Sequence, residues 1–329
     1  MTNKSAPDYV IVADIGGTFA RFGRAQLDTL ALDKIAIFSC ADYQHFEDAL
    51  VGYQSQQQLE HISNVAIAIA CPVLDDVISM TNAHWRFSTA QVKNKLNLDE
   101  FHVLNDFNAI AMSLPILSEQ EKIQVGPGYA QEHKTQVVLG AGTGLGVAAS
   151  FFQNDRLITI SGEGGHASWG AKNEQEWFVL SYLKKKHLHV SYERLLSGQG
   201  LENLYQALAA YHQQEAAPVT AAQIIAAALT KKSEIAIITV AQFFNILGAY
   251  AGDLALIFSA FGGVYIAGGI VPRLLPLVEE SDFRKHFEDK GRFYEFNVRI
   301  PTYIVTAEQP GILGAAVYLQ QQLKGHISR

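Results

Sequence analysis

The stretch Phe101 to Pro115, FHVLNDFNAIAMSLP, decides how this chain folds. Its apolar run Phe101 to Leu104 predicts a buried strand, and after Asn105-Asp106 the apolar residues Phe107, Ile110, Ala111 and Leu114 recur at helical spacing. A strand that hands over to a helix at a carboxylate is the hallmark of an open α/β sheet. Such sheets keep their working groups at the carboxyl ends of strands, held by a rigid layer yet facing a crevice. Asp106 is therefore a candidate catalytic carboxylate, and the Asn105 amide, which can donate and accept, suits a hydroxyl-rich ligand. Asp and Asn also cap helices, so Asp106 on its own reads equally as a cap.

Two Gly-rich turns flank this stretch. Val12 to Phe22, VADIGGTFARF, and Val137 to Phe151, VVLGAGTGLGVAASF, share one plan of strand, turn rich in Gly and Thr, and strand, which predicts a weak internal duplication. In the first turn Gly16 and Gly17 let a phosphate approach the backbone amides, Thr18 adds a hydroxyl, and Asp14 is a hard oxygen ligand for hydrated Mg²⁺. An ordinary hairpin turn would use the same glycines. The second turn fails the G-x-G-x-x-G pattern counted from Gly140 or Gly142. Counted from Gly144 the pattern ends on Ala149, and the chain beyond the turn is β-like where a dinucleotide fold requires a helix.

The composition sets limits on function. A chain of 329 residues is long for one core and predicts two domains with a cleft between them. With 49% hydrophobic and 17% charged residues it is an ordinary globular chain. A net charge of −7, with no basic run beyond Lys184-Lys185-Lys186, offers no footprint for nucleic acid or anionic membrane. Two cysteines, Cys40 and Cys71, make neither a disulfide framework nor a zinc spacing and fit a reducing cytoplasm, and the N-terminus shows no signal-peptide pattern. Ile235 to Gly252 lacks charge over nearly a membrane-spanning length, but Thr239, Gln242, Asn245 and Gly248 mark it as a buried core helix.

Lys34 to Ser39 predicts a third strand, Tyr43 to Leu59 a helix and Val65 to Cys71 a fully buried strand, which completes one α/β lobe. Met80 to Trp85, MTNAHW, reads either as a wall of a sugar pocket or as a capped loop over the core. The pattern weakens over Leu117 to Gly128, where a first crossing between lobes is expected. Ser161 to Trp169, SGEGGHASW, exposes Glu163 and His166 among glycines for hydroxyl recognition, while Glu193 reads as a site residue or as a helix-surface Glu. Helical periods continue over Glu202 to Tyr211, Ala221 to Leu229 and Ser233 to Phe261, then a strand at Val264 to Ala267 ending in Gly268-Gly269, where small residues let a flat ring lie on the backbone. Ile300 to Thr306 predicts a last strand and Pro310 to Leu323 a last helix.

Taken together, DIGGT, LNDF, GAGTGLG, GEGGH, ERLLSG and GGVYIAGGIVPR, in this order from about Tyr9 to about Leu319, closely resemble the bacterial glucokinase family of the sugar kinase, Hsp70 and actin superfamily. The resemblance implies a two-lobed ribonuclease H-like (actin-like ATPase) fold. A small α/β lobe would comprise residues 1–116 and 307–329, and a larger, helix-rich α/β lobe residues 117–306, with a cleft between them. It implies transfer of the ATP γ-phosphoryl group to the 6-hydroxyl of D-glucose, the entry step of glycolysis. Asp106 resembles the general base, and Asn105, Glu163, His166 and Glu193 resemble the sugar ligands. Asp14, Gly16, Gly17 and Thr18 match the first phosphate motif, with Asp14 as a ligand of Mg²⁺ through water. Gly142, Thr143 and Gly144 match the second, and Gly268 and Gly269 the adenosine motif. Phe19 departs from the family pattern, which has Asn after G-G-T, and the Cys-rich zinc motif of a related group is absent, so no structural zinc is expected. Glucose and ATP are the implied partners, with a homodimer allowed and neither nucleic acid nor membrane expected. A repressor on this fold would need a helix-turn-helix ahead of Asp14, and a filament or chaperone has no use for the LNDF and GEGGH pair; a catalytically silent glucose sensor is the alternative that keeps every motif.

Overall fold

Hydrophobic alternation along the first strand shows how the chain builds its layers: Ile11, Ala13 and Ile15 enter one core, and Val10 and Val12 enter another on the opposite face of the sheet. The structure, a computed structural model, describes residues 8–80 and 83–325. Its strands are β1 (Tyr9–Ile15), β2 (Phe19–Gln26), β3 (Leu32–Ser39), β4 (Asn64–Ile69), β5 (Val77–Ser79), β6 (Arg86–Ser88), β7 (Glu100–Asn105), β8 (Lys122–Val125), β9 (Gln136–Ala141), β10 (Leu145–Gln153), β11 (Arg156–Gly162), β12 (Val264–Ala267) and β13 (Thr302–Val305). The helices are α1 (Phe46–Gln57), α2 (Thr89–Lys95), α3 (Asp106–Ser113), α4 (Glu174–Lys184), α5 (Gly198–Tyr211), α6 (Ala221–Leu229), α7 (Glu234–Phe258), α8 (Leu275–Val278), α9 (Phe283–Glu288), α10 (Tyr294–Val298) and α11 (Pro310–Lys324). They group into two units, residues 1–117, 150–161 and 307–329 in the first and residues 118–149 and 162–306 in the second.

The first unit carries a sheet in the order β3-β2-β1-β4-β7, with β2 antiparallel to β1 and β3, and β4 parallel to both β1 and β7. As a parallel strand covered on both faces, β4 is buried at every residue. One face packs Phe22 on Tyr53 of α1 (5.1 Å between ring centres) and Phe46 on Phe87 and Phe101. The other packs α11 through Ile312, Ala315, Ala316 and Leu319. Residues 150–161, the end of β10 and nearly all of β11, belong to this unit. Leu157 joins the α11 core, and its backbone N–H and C=O bond the Gln321 amide at 2.7 and 3.1 Å.

The second sheet runs β11-β10-β9-β12-β13-β8. Numbered in chain order within each sheet, with the small β5–β6 hairpin and the edge strand β8 set aside, both sheets have the order third, second, first, fourth, fifth. This is the two-unit ribonuclease H-like fold of actin-like ATPases, and the shared plan of the two Gly-rich turns is its trace in the sequence. Helix α7 is long and apolar enough to cross a membrane by length and composition, but 78% of its most apolar window is buried inside the protein. It is the core helix that its polar residues predicted. The expected irregular crossing at 117–128 contains β8, whose side chains alternate poorly between core and solvent because it is the edge strand, antiparallel to β13. Strand β11 and helix α4 likewise show no clear sequence pattern, since β11 is largely exposed and α4 turns Trp177 and Phe178 outward.

Helices α3 and α11 approach so closely that a Cβ on Gly314 would overlap the carbonyl of Ala109, a backbone atom that cannot swing aside. Gly314→Ala should therefore destabilise the fold by roughly 1–3 kcal/mol or more, the cost of overpacking a close-fitted core. Urea unfolding measures this, and an unchanged midpoint would show that the two helices separate freely.

Candidate functional site

In the first unit three parallel strands end at one edge of the sheet. Asp14 lies beside Ala68 and Ile69 lies beside Asn105, so Asp14 and Asn105 flank the end of β4. Asn105, not Asp106, is the cap of α3: its Oδ1 accepts from the N–H groups of Phe107 (3.0 Å) and Asn108 (3.2 Å). Its Nδ2 donates to Asp106 Oδ1 at 2.9 Å and, at 3.4 Å, to the carbonyl of Cys71. The amide read as a sugar ligand is thus engaged chiefly in holding Asp106. Asp106 Oδ1 also accepts from Phe107 N–H (2.9 Å), while among the described residues Oδ2 has no hydrogen-bond partner. Burial pushes the Asp106 carboxyl up to about 6; the neighbouring charge of Asp14 adds to the rise, against the bonds from Phe107 and Asn105. Burial also raises Asp14, opposed by Arg21.

Asp14 lies against the first turn of α11, since a Cβ on Gly311 would stand 3.0 Å from its Cγ. A helix N-terminus favours a carboxylate there. Gly16 and Thr18 form the β1–β2 turn, with Gly16 N–H donating to the Phe19 carbonyl (3.0 Å) and Cys40 N–H to that of Thr18 (2.9 Å). Gly17 is part-exposed, Thr18 is exposed, and the Phe19 ring, in place of the usual Asn, is 48% exposed. Trp85 is not a pocket wall: it is buried against Phe46, and its Nε1 donates to the Tyr43 carbonyl (3.0 Å), the same oxygen that His84 Nε2 contacts at 2.9 Å. Thr81 and Asn82 of that cluster lie outside the described residues.

In the second unit, the end of β9 and the start of β10 frame Gly142-Thr143-Gly144. Gly142 N–H donates to the Gly144 carbonyl (2.8 Å), Thr143 is exposed at the tip, and a side chain at Gly142 would point into open space. Gly268 ends the neighbouring strand β12 with a φ of +85°, and a Cβ there would sit 2.5 Å from the Ala141 carbonyl, so only glycine brings the two backbones this close. Gly269 beside it faces open space. The structure thus sets the second Gly-rich turn and Gly268-Gly269 side by side at the ends of neighbouring strands.

Glu163 and His166 are exposed on their glycine loop, as expected. Gly165 packs on the Leu145 carbonyl, with no room for a Cβ, and Gly164 lies where a Cβ would come 2.8 Å from the Tyr250 hydroxyl. Glu193 stands in a single helical turn, Tyr192–Arg194, and not on a helix surface. Its Oε2 accepts from Leu145 N–H at 2.9 Å, and its Oε1 lies 3.9 Å from His166 Nε2. Glu163, His166 and Glu193 therefore gather around the start of β10. Sequence reading missed Tyr250, whose ring stacks on Tyr192 at 3.9 Å, because it sits in the apolar run of α7. It also missed Ser197, whose position before Gly198 is a helix-cap signal.

Among the described residues no group of three or more His, Cys, Asp or Glu side chains is placed to hold a metal ion. A lone, desolvated Asp14 suits an ion that keeps most of its ligands as water and phosphate oxygens, as Mg²⁺ does.

The family model described as Glucokinase matches residues 11–322. A glucokinase of Photorhabdus laumondii is 41% identical over 315 residues, 96% of this chain and 98% of that protein, and one of Colwellia psychrerythraea is 42% identical over 317 residues, covering 94% and 96%. Among solved structures, a glucokinase from an Antarctic psychrotroph superposes with a TM-score of 0.88 at 34% identity, covering 96% of this chain and 99% of that one. A Balamuthia mandrillaris glucokinase in complex with glucose shares the fold with a TM-score of 0.78 at 20% identity, covering 95% and 94%.

The raised Asp106 carboxyl has a thermodynamic signature. The folded state holds this proton up to about pH 6 whereas the unfolded state releases it near 3.8, so the group's contribution to stability is full below pH 3.8 and lost as pH rises through 6. Asp106→Asn, which keeps the Oδ1 acceptor, should stabilise the protein at pH 8 by up to roughly 3 kcal/mol. Chemical denaturation at pH 8 and pH 4 should show that gain shrinking toward zero at the lower pH; a gain independent of pH would rule out the shift.

Proposed function

The chain belongs to the glucokinase family, and on that premise we propose that it transfers the γ-phosphoryl group of ATP to the 6-hydroxyl of D-glucose, giving glucose 6-phosphate and ADP, with Asp106 as the general base. The observation that carries the role of Asp106 is its divided carboxylate: Oδ1 is fixed by Phe107 N–H and Asn105 Nδ2, and Oδ2 is left without a protein partner among the described residues. As the 6-hydroxyl oxygen bonds to the γ-phosphorus and the bond to the β–γ bridging oxygen breaks, the hydroxyl proton passes to Oδ2. A pKa of about 6 supports this role, because such a group is ionised at pH 7 yet is a stronger base than an ordinary aspartate.

Glu163, His166 and Glu193 bind the sugar hydroxyls, and Asn105 orients Asp106. Gly142, Thr143 and Gly144 receive phosphate on backbone amides, Gly16, Gly17 and Thr18 do the same in the first unit, and Gly268 and Gly269 leave the backbone bare for the adenosine. Asp14 holds hydrated Mg²⁺; when bound, that ion offsets phosphate charge in a transfer whose loose transition state asks mainly for positioning and neutralisation. Two free, buried thiols at Cys40 and Cys71 support a reducing compartment, the cytoplasm. A homodimer belongs to the same proposal on family grounds, and sedimentation tests it.

The deciding experiment is sugar 6-phosphate formation with ATP and Mg²⁺ over a panel of glucose, mannose, fructose and N-acetylated hexosamines. Turnover is expected largely on glucose and is lost on chelation; a sugar-stabilised protein without turnover would instead be a sensor. Asp106→Asn should lower kcat about 10² to 10⁴-fold with glucose affinity retained, and wild-type kcat should fall about tenfold per unit below pH 6. Glu163→Gln and His166→Ala should act mainly on the sugar KM, and an unchanged KM in both would remove them from the site.

A further inference from the structure

The segment Glu193 to Gly198 does more than present one carboxylate. It brackets the second Gly-rich turn with a closed circuit of hydrogen bonds. Leu145 N–H donates to Glu193 Oε2 (2.9 Å), Ser197 Oγ to the Glu193 carbonyl (2.8 Å), Gly198 N–H to the Gly142 carbonyl (2.9 Å) and Gly142 N–H to the Gly144 carbonyl (2.8 Å). The fit is close enough that a Cβ on Gly144 would come 2.6 Å from Glu193 Oε2. The same carboxylate keeps Oε1 beyond hydrogen-bond distance of His166 Nε2, at 3.9 Å, with the side chain 28% exposed. One oxygen is thus committed to the turn and the other is open to a ligand hydroxyl.

We propose that Glu193 couples the sugar site to the phosphate turn, so that sugar and nucleotide bind with mutual reinforcement through this one side chain. Two effects act in the same direction. Without sugar, the negative charge of Glu193 lies one hydrogen bond from the turn that receives phosphate and repels it. A sugar hydroxyl donated to Oε1 disperses that charge, and it fixes the side chain whose Oε2 orders Leu145 and Gly144, so that the ordering is already complete when the nucleotide arrives. By linkage the nucleotide must strengthen sugar binding by the same factor. The turn therefore receives ATP best when an acceptor is present, which limits unproductive hydrolysis.

The coupling rests on the sugar and phosphate roles proposed above, and calorimetry separates the two. In the wild type, Kd for a non-hydrolysable ATP analogue with Mg²⁺ should fall at least about fivefold when glucose is saturating. Glu193→Gln keeps an acceptor for Leu145 N–H and loses the charge. Its glucose Kd should rise, its nucleotide Kd without glucose should approach the wild-type glucose-bound value, and the coupling factor should approach one at glucose concentrations that saturate the variant. Gly144→Ala, whose Cβ meets only the mobile end of Glu193, should weaken glucose binding severalfold with no nucleotide present, a readout that a purely phosphate-binding glycine would not move. A coupling factor in Glu193→Gln equal to wild type, or an unaltered glucose Kd in Gly144→Ala, overturns the coupling while leaving the sugar site intact. An unaltered glucose Kd in Glu193→Gln removes the sugar role of Glu193 itself, and the coupling with it.

Discussion

Much of the first unit is arranged around keeping one carboxylate dry but not neutral. A carboxyl taken fully out of water would hold its proton and could accept none; one left in water would be too weak a base. Asp106 sits between these limits because hydrogen bonds from Phe107 N–H, Asn105 Nδ2 and its own backbone N–H stabilise the charged form while burial and Asp14 oppose it. The balance depends on Asn105 taking over the cap of α3. With Asn105 taking the N–H groups of Phe107 and Asn108 as cap, Asp106 need not serve as the cap of α3.

That arrangement costs stability locally, and close packing elsewhere offsets it. Strand β4 is buried at every residue between β1 and β7, so the strand ends bearing Asp14 and Asn105 are fixed by the layer with the least freedom in the unit. Helix α11 then closes onto α3 at Gly314 and onto Asp14 at Gly311. Two small residues one turn apart let the helix lie on the Ala109 backbone and on the Asp14 carboxylate, and a long side chain at either would lift it away. The last helix in the chain thereby serves residues near its beginning.

The sequence made the motifs legible and left their local geometry undecided. Asn105 and Asp106 are both good caps, and pattern reading has no means of choosing between adjacent candidates; the choice depends on the strand–helix angle. Trp85 sits in a polar cluster, and nothing in that cluster reveals that its indole is buried against Phe46 and its N–H is taken by the Tyr43 carbonyl. Glu193 read as readily as a helix-surface residue because its true setting, a single helical turn, has no period to detect. Edge strands β8 and β11 escaped for a related reason, since alternation is strong only where one face is buried. The duplicated turns, by contrast, were visible because glycine marks a backbone requirement directly, with no dependence on what packs around it.

Phosphate sites are often built on a helix N-terminus, where a whole helix of aligned dipoles stands behind the amides. Here the second turn joins two strands, and strand dipoles largely cancel, so its amides need their conformation fixed by other means. The Glu193–Gly198 segment supplies that restraint from outside, gripping the turn at Gly142 on one side and Leu145 on the other while Thr143 stays exposed. A restraint lent by a neighbouring segment can carry information that a helix dipole cannot, because the neighbour has contacts of its own. In this chain the neighbour's carboxylate is also a proposed sugar ligand, so the means of stiffening the turn and the means of sensing the acceptor reside in one residue.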